Sequence, residues 1–224
     1  MGSAIGQILP LAIGVAISPI PIVAVILMLL SKKAGANSLS FLIGWIAGLT
    51  AVGVVVLSLG WATTTDSGSA NDAVLWGKVA IGVVFLFLAL RNWHKRPKKG
   101  EEPAIPKWMG GIDDMKPGLA LGLGIGLSAI NPKNLALTLS AAATISTAEG
   151  LSTSEEYIVL AVFVLIAIST VALPVISYYG FRSKADATLP GVKDWLLEHN
   201  AAIMTVIFLV LGAKILGDGL SLFS

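Results

Sequence analysis

The sequence predicts an all-α integral membrane protein: six transmembrane helices as two inverted three-helix repeats, with the first and fourth helices broken at proline. Three observations carry that prediction. The chain has 224 residues, 55% of them hydrophobic and only 12% charged, whereas a soluble domain carries about 25% charged residues. The charges collect in short segments between long apolar runs, and the sign of the charge alternates from one segment to the next. Proline interrupts the first run at Ser18-Pro19-Ile20-Pro21 and the fourth at Asn131-Pro132-Lys133-Asn134.

The spans are expected at 5–30, 39–61, 73–92, 117–145, 157–180 and 200–219. A spanning helix needs about 20 apolar residues. The first and fourth runs exceed that length, which suits broken, tilted or partly re-entrant segments. Residues 1–17 hold no Lys or Arg. The basic region of a cleaved secretory signal is therefore missing, and the first apolar run is expected to be the first span.

Loop charges assign orientation. Lys32 and Lys33 lie in loop 31–38. Lys95, Arg96, Lys98, Lys99, Lys107 and Lys116 lie in loop 93–116, with Arg91 at its edge. Arg182, Lys184 and Lys193 lie in loop 181–198. Loops 62–72 and 146–156 hold only acidic charges: Asp66, Asp72, Glu149, Glu155 and Glu156. The excess of Lys and Arg on cytoplasmic loops then places both termini outside a cytoplasmic (inner) membrane. The expected organisation is one membrane domain, 1–224: repeat one at 1–92, a cytoplasmic loop at 93–116, and repeat two at 117–224.

The two halves also match in detail. Setting Pro19 against Pro132 pairs Ser18 with Asn131 and Pro21 with Asn134. The run from Val83 to Arg91 sits against the run from Val206 to Lys214. Interrupted helices in corresponding positions of two halves point to a transport site. The plain alternative is six unrelated helices with a coincidental proline pair. Gly44, Gly48 and Gly53, and the run Gly122-Leu123-Gly124-Ile125-Gly126, permit close helix contact. Trp45, Trp61, Trp76, Trp93 and Trp108 read as interface anchors near span ends.

Each break has a helix-start signature. Ser and Asn are good N-caps and Pro is favoured at the first helical position. A break at membrane depth is tolerated only where protein or a cavity shelters it, and a helix N-terminus attracts anions. The expected site is therefore an anion or headgroup site built from Ser18, Pro19, Pro21, Asn131, Pro132, Lys133 and Asn134. Lys133 is the charge partner and Asn131 and Asn134 are donors. A charged residue inside a span is a functional hypothesis by default. The plain reading of Lys133 is that it snorkels, or binds carbonyls released by the broken helix.

Other chemistry finds no support. The chain has no cysteine, and His94 and His199 lie beside charged loops, so no metal site is expected. No phosphate-binding Gly-Lys-Ser/Thr step and no Ser/His/Asp set is present, so neither an enzyme nor a cofactor is expected. No Asp or Glu lies deep in a span, which argues against a carboxylate proton relay. Lys214 and Asp218 are spaced for an i,i+4 pair near a span end, and Lys78 is expected to snorkel. The basic run 91–99 reads as a topology signal rather than a contact for anionic lipid headgroups.

The stretch from Leu9 to Leu30, with Ser18-Pro19-Ile20-Pro21 inside it, resembles the start of the GAP (Sap-like, peptidoglycolipid-addressing) proteins of actinobacteria. Phe41-Leu42-Ile43-Gly44-Trp45-Ile46-Ala47-Gly48-Leu49, Asn131-Pro132-Lys133-Asn134-Leu135 and Leu211-Gly212-Ala213-Lys214 are similar to the same family. The resemblance covers nearly the whole chain and implies membership of the LysE superfamily of six-span exporters. It implies export of a cell-envelope glycolipid, with a small-solute exporter or a non-transporting accessory protein as alternatives. The implied partners are a lipid or small organic substrate, membrane lipids and a second copy of the chain in a homodimer; nucleic acid is not among them.

Overall fold

Among the described residues every regular element is a helix. The structure, a computed structural model, describes residues 1–59, 68–97 and 106–220, with the backbone alone at 68–75, 78 and 107. Trp61, Asp66, Lys98 and Lys99, for which the sequence carries expectations, therefore lie outside the described residues, as do the side chains of Asp72, Lys78 and Lys107.

In chain order the helices are α1 (Gly2–Ala16), α2 (Pro19–Leu29), α3 (Ala34–Ser58), α4 (Gly68–His94), α5 (Pro117–Ile125), α6 (Pro132–Ser146), α7 (Thr153–Gly180) and α8 (Arg182–Leu220). A single π turn, Gly126–Ile130, links α5 to α6, and a 3-10 turn, Lys107–Gly111, precedes α5. α3, α7 and α8 are each long and apolar enough to cross a membrane. α1 and α2 together make a fourth candidate span, bent by 51° at the break. The described apolar stretches Val79–His94 and Pro117–Ile130 are shorter.

Both breaks fall at the expected prolines. Pro19 and Pro132 each sit at the start of a helix, behind Ser18 and Asn131 respectively. Proline cannot take the interior hydrogen bond, and its ring clashes with the preceding turn, so the helix must restart there. α7 starts at a full capping box. Ser152 accepts from the Glu155 amide, and Glu155 accepts from the Ser152 amide and hydroxyl, closing two of the donors a helix start leaves open.

Glycines set the helix spacing. A Cβ on Gly44 would collide with the Leu121 backbone carbonyl, and one on Gly124 with the Phe41 carbonyl. α3 and α5 therefore touch backbone to backbone. On α4 and α8, a Cβ on Gly82 would meet the Leu216 backbone and one on Gly212 would meet Leu86, so these two helices run antiparallel. Phe85 and Phe208 stack edge to face between them, centroids 5.3 Å apart. With no hydrophobic force between helices in lipid, such close contact is what holds a bundle together.

Cross-helix contacts define two ends. At one end Asn37 Nδ2 donates to the Met115 carbonyl at 3.0 Å, and Gly35 abuts the Tyr179 hydroxyl. Lys32 and Lys33, Lys116, and Arg182 with Lys184 flank these residues in sequence, so the basic segments share that end. At the other, the Ser58 hydroxyl lies 3.3 Å from the Tyr157 hydroxyl.

Two readings are corrected. Segment 181–198 is not a loop: after Phe181 the chain is helical from Arg182 onward. Ala185, Leu189, Leu196 and Leu197 are buried and lie on one helical face, so apolar packing on one side overrides the high charge on the other. Trp45 is not an interface anchor. It is fully buried and packs against Phe41, one turn earlier, with ring centroids 6.1 Å apart. Trp76 and Trp93 are about half exposed, as an anchor requires.

Candidate functional site: the paired helix breaks

The carbonyls released where α1 stops explain the site. A helix leaves its last four C=O groups without intrahelical partners, here Gly14, Val15, Ala16 and Ile17. Each is satisfied. Lys133 Nζ donates to Gly14 O at 2.7 Å and to Ile17 O at 3.2 Å. The Ser18 hydroxyl donates to Val15 O at 2.6 Å. The Ala16 carbonyl accepts from the Ser18 amide at 2.8 Å and from the Thr170 hydroxyl of α7. Lys133 Nζ places its third proton on Ser18 Oγ at 2.6 Å.

Lys133 lies in the first turn of α6, where a positive charge opposes the helix dipole. The carbonyl end of α1 favours it, and three hydrogen bonds to that end decide where the ammonium goes. The side chain is 5% exposed, so it does not snorkel to water. The backbone amide of Lys133 is held by Asn131 Oδ1 at 3.0 Å, an N-cap bond.

The second break is closed by residues of its own half. Asn134 Nδ2 donates back to the Leu127 carbonyl at 2.9 Å, and Asn134 Oδ1 lies 3.3 Å from Ser18 Oγ. The Asn131 amide closes the π turn on Gly126 O, and Ser128 Oγ donates to Ile125 O. One connected network, Asn134–Ser18–Lys133, thus joins the two breaks. At α2 little of the helix-start positive end is free for an anion, because Pro19 and Pro21 carry no N–H.

Beside the network lies a cleft of about 200 Å³ lined by Ser18, Pro19, Ile20, Pro21, Asn92, Asn131, Lys133, Asn200 and Met204. Of the residues expected at a site, Ser18, Pro19, Pro21, Asn131 and Lys133 line this cleft, whereas Pro132 and Asn134 do not. Asn134 stands behind it as a brace.

The model of the Sap, sulfolipid-1-addressing protein family matches residues 8–221. The chain belongs to that family. No curated protein and no solved structure matches it. The matched range takes in both breaks and the whole cleft, so the network is part of the Sap domain rather than an appendage to it.

Outside the two proline steps, three lining residues of this Sap-family chain were not expected from sequence: Asn92 at the end of α4, and Asn200 and Met204 on α8. Asn92 Nδ2 donates to Leu88 O at 2.9 Å, and Asn200 Oδ1 is buried without a hydrogen-bond partner. Their one sequence signal is a carboxamide at the edge of each of the third and sixth apolar runs. Among the described residues no cluster of His, Cys, Asp or Glu could hold a metal ion.

Proposed function

We propose that this Sap-family protein moves an anionic or headgroup-bearing cell-envelope lipid across or out of the cytoplasmic membrane, by the architecture of the six-span LysE exporters. The single observation that supports this most is the meeting of both helix breaks at one cleft. Substrate sites of carriers lie where interrupted helices from two repeats face each other. The helix pairing fits such a repeat: α4 runs against α8, and Phe85 meets Phe208, its counterpart when the two apolar runs are aligned. The common end of the basic segments fits a cytoplasmic face, with both termini outside.

The cleft is small. Its volume of about 200 Å³ falls below the roughly 300–1,000 Å³ of sites that enclose a drug-sized ligand. A headgroup fits such a space and acyl chains remain in the bilayer. The lining carboxamides supply donors and acceptors, and the buried ammonium of Lys133 supplies positive potential. Its N–H groups are engaged by α1, so its effect on a bound headgroup is through space. No step of this reading needs an enzyme activity or a cofactor.

One observation favours a second reading. Because Lys133 spends all its hydrogen bonds inside the protein, the breaks can serve as a rigid brace in a non-transporting accessory protein. Reconstitution separates the two. Native protein in vesicles containing a fluorescent acidic glycolipid is expected to speed its movement between leaflets, and Asn92→Ala with Asn200→Ala is expected to slow it without loss of fold. Equal leaflet exchange in vesicles with and without protein would overturn the transport reading.

A further inference from the structure

The end of α1 forms an oxygen cage around one positive centre. Gly14 O, Ile17 O and Ser18 Oγ surround Lys133 Nζ at 2.6–3.2 Å. The one Ser18 proton has Val15 O and Asn134 Oδ1 as its acceptors, so a lone pair of Ser18 Oγ faces the nitrogen. All three neighbours are therefore acceptors. A neutral amine has two protons for them and an ammonium has three, so the cage fits the cation. No carboxylate shares it, since none of the ion pairs among the described residues includes Lys133.

Neutral oxygens at the carbonyl end of an interrupted membrane helix form the donor set with which carriers hold a dissolved alkali cation. Such hard cations prefer oxygen ligands, and the negative end of α1 adds to the attraction. We propose that the α1–α2 break is a monovalent-cation site that the chain fills with its own Lys133 ammonium. The break is thereby stabilised without any ion from solution. Removing the ammonium opens the site to potassium, ammonium or methylammonium. The spacing suits those ions better than the smaller sodium ion. The inference concerns the break itself and stands whether or not the cleft carries a lipid.

The test compares the full-length native protein, Lys133→Ala and Lys133→Gln in detergent. Thermal unfolding is followed while potassium, ammonium or methylammonium chloride replaces choline chloride at constant ionic strength. Lys133→Ala is expected to unfold at lower temperature in choline and to recover by several degrees, saturably, in the small cations, since a ligand that binds only the folded state raises its stability. The native protein is expected to show no saturable difference between the salts. Lys133→Gln places a carboxamide in the cage and is expected to respond less than Lys133→Ala. Two results overturn the proposal: a Lys133→Ala protein that responds equally to choline and to the small cations, or one that stays unfolded in all of them. Folding in potassium or ammonium but not in choline supports it.

Discussion

Lys133 Nζ donates to the carbonyl of Gly14 at 2.7 Å across 119 residues of sequence. That bond, with those to Ile17 and Ser18, ties the start of α6 to the end of α1. The two broken helices therefore do not merely lie near each other; the second closes carbonyls that the break in the first leaves open.

Loss of the ammonium should be costly. Lys133→Met keeps most of the apolar stem and leaves three acceptors without donors. An unsatisfied buried polar group costs about 1–3 kcal/mol. Measured interhelical hydrogen bonds in membranes average only about 0.6 kcal/mol, so for three lost bonds a total of about 2–3 kcal/mol is expected. Thermal or denaturant unfolding in detergent checks this. A change below about 0.5 kcal/mol would show that the carbonyls find other partners.

Ser18 and Thr170 contribute separately to the same helix end. Ser18→Ala removes the donor to Val15 O and the acceptor for Lys133, and about 1–2 kcal/mol of destabilisation is expected. Thr170→Val removes one bond to Ala16 O, and about 1 kcal/mol is expected. Ser18→Ala and Lys133→Met share a bond, so their effects should be non-additive by at least about 0.5 kcal/mol in a double-mutant cycle. Thr170→Val shares no bond with Lys133, and its effect should add more nearly to that of Lys133→Met.

The positions of the breaks were readable because their cause is local. Proline after Ser or Asn stops one helix and starts the next, whatever surrounds it. The partner of Lys133 was not readable to the same degree. A lysine beside a break is consistent with an anion site and with released carbonyls alike, and only the approach of α1 shows which carbonyls its ammonium reaches. Trp45 was misread for a similar reason: tryptophan suits both interfaces and cores, and the close approach of α3 to α5 through Gly44 and Gly124 encloses this one. Segment 181–198 reads as a loop because its charge density outweighs the spacing of Ala185, Leu189, Leu196 and Leu197.

That last correction can be checked by mutation. Leu189 is buried and Val192, three residues on, is exposed. Leu189→Ala should destabilise by about 2 kcal/mol, at the low end for a buried leucine. Val192→Ala should stay within about 0.5 kcal/mol, as surface changes do. If 181–198 were an unpacked connection, both changes would be silent in an unfolding assay.

The close contact of α3 with α5 makes a sharper contrast between two glycines of one helix. A Cβ on Gly124 meets the Phe41 carbonyl, and that backbone atom cannot swing away as a side chain can. Gly124→Ala should force the helices apart. It is expected to cost at least the 1–3 kcal/mol typical of overpacking. A Cβ on Gly122 meets nothing within 4 Å. Gly122→Ala should be neutral, or stabilising by up to about 1 kcal/mol through the better helix propensity of alanine. Unfolding temperatures of the two variants in the same detergent should therefore move in opposite directions, or only the first should move. Equal losses from both would mean that α5 has a different face against α3.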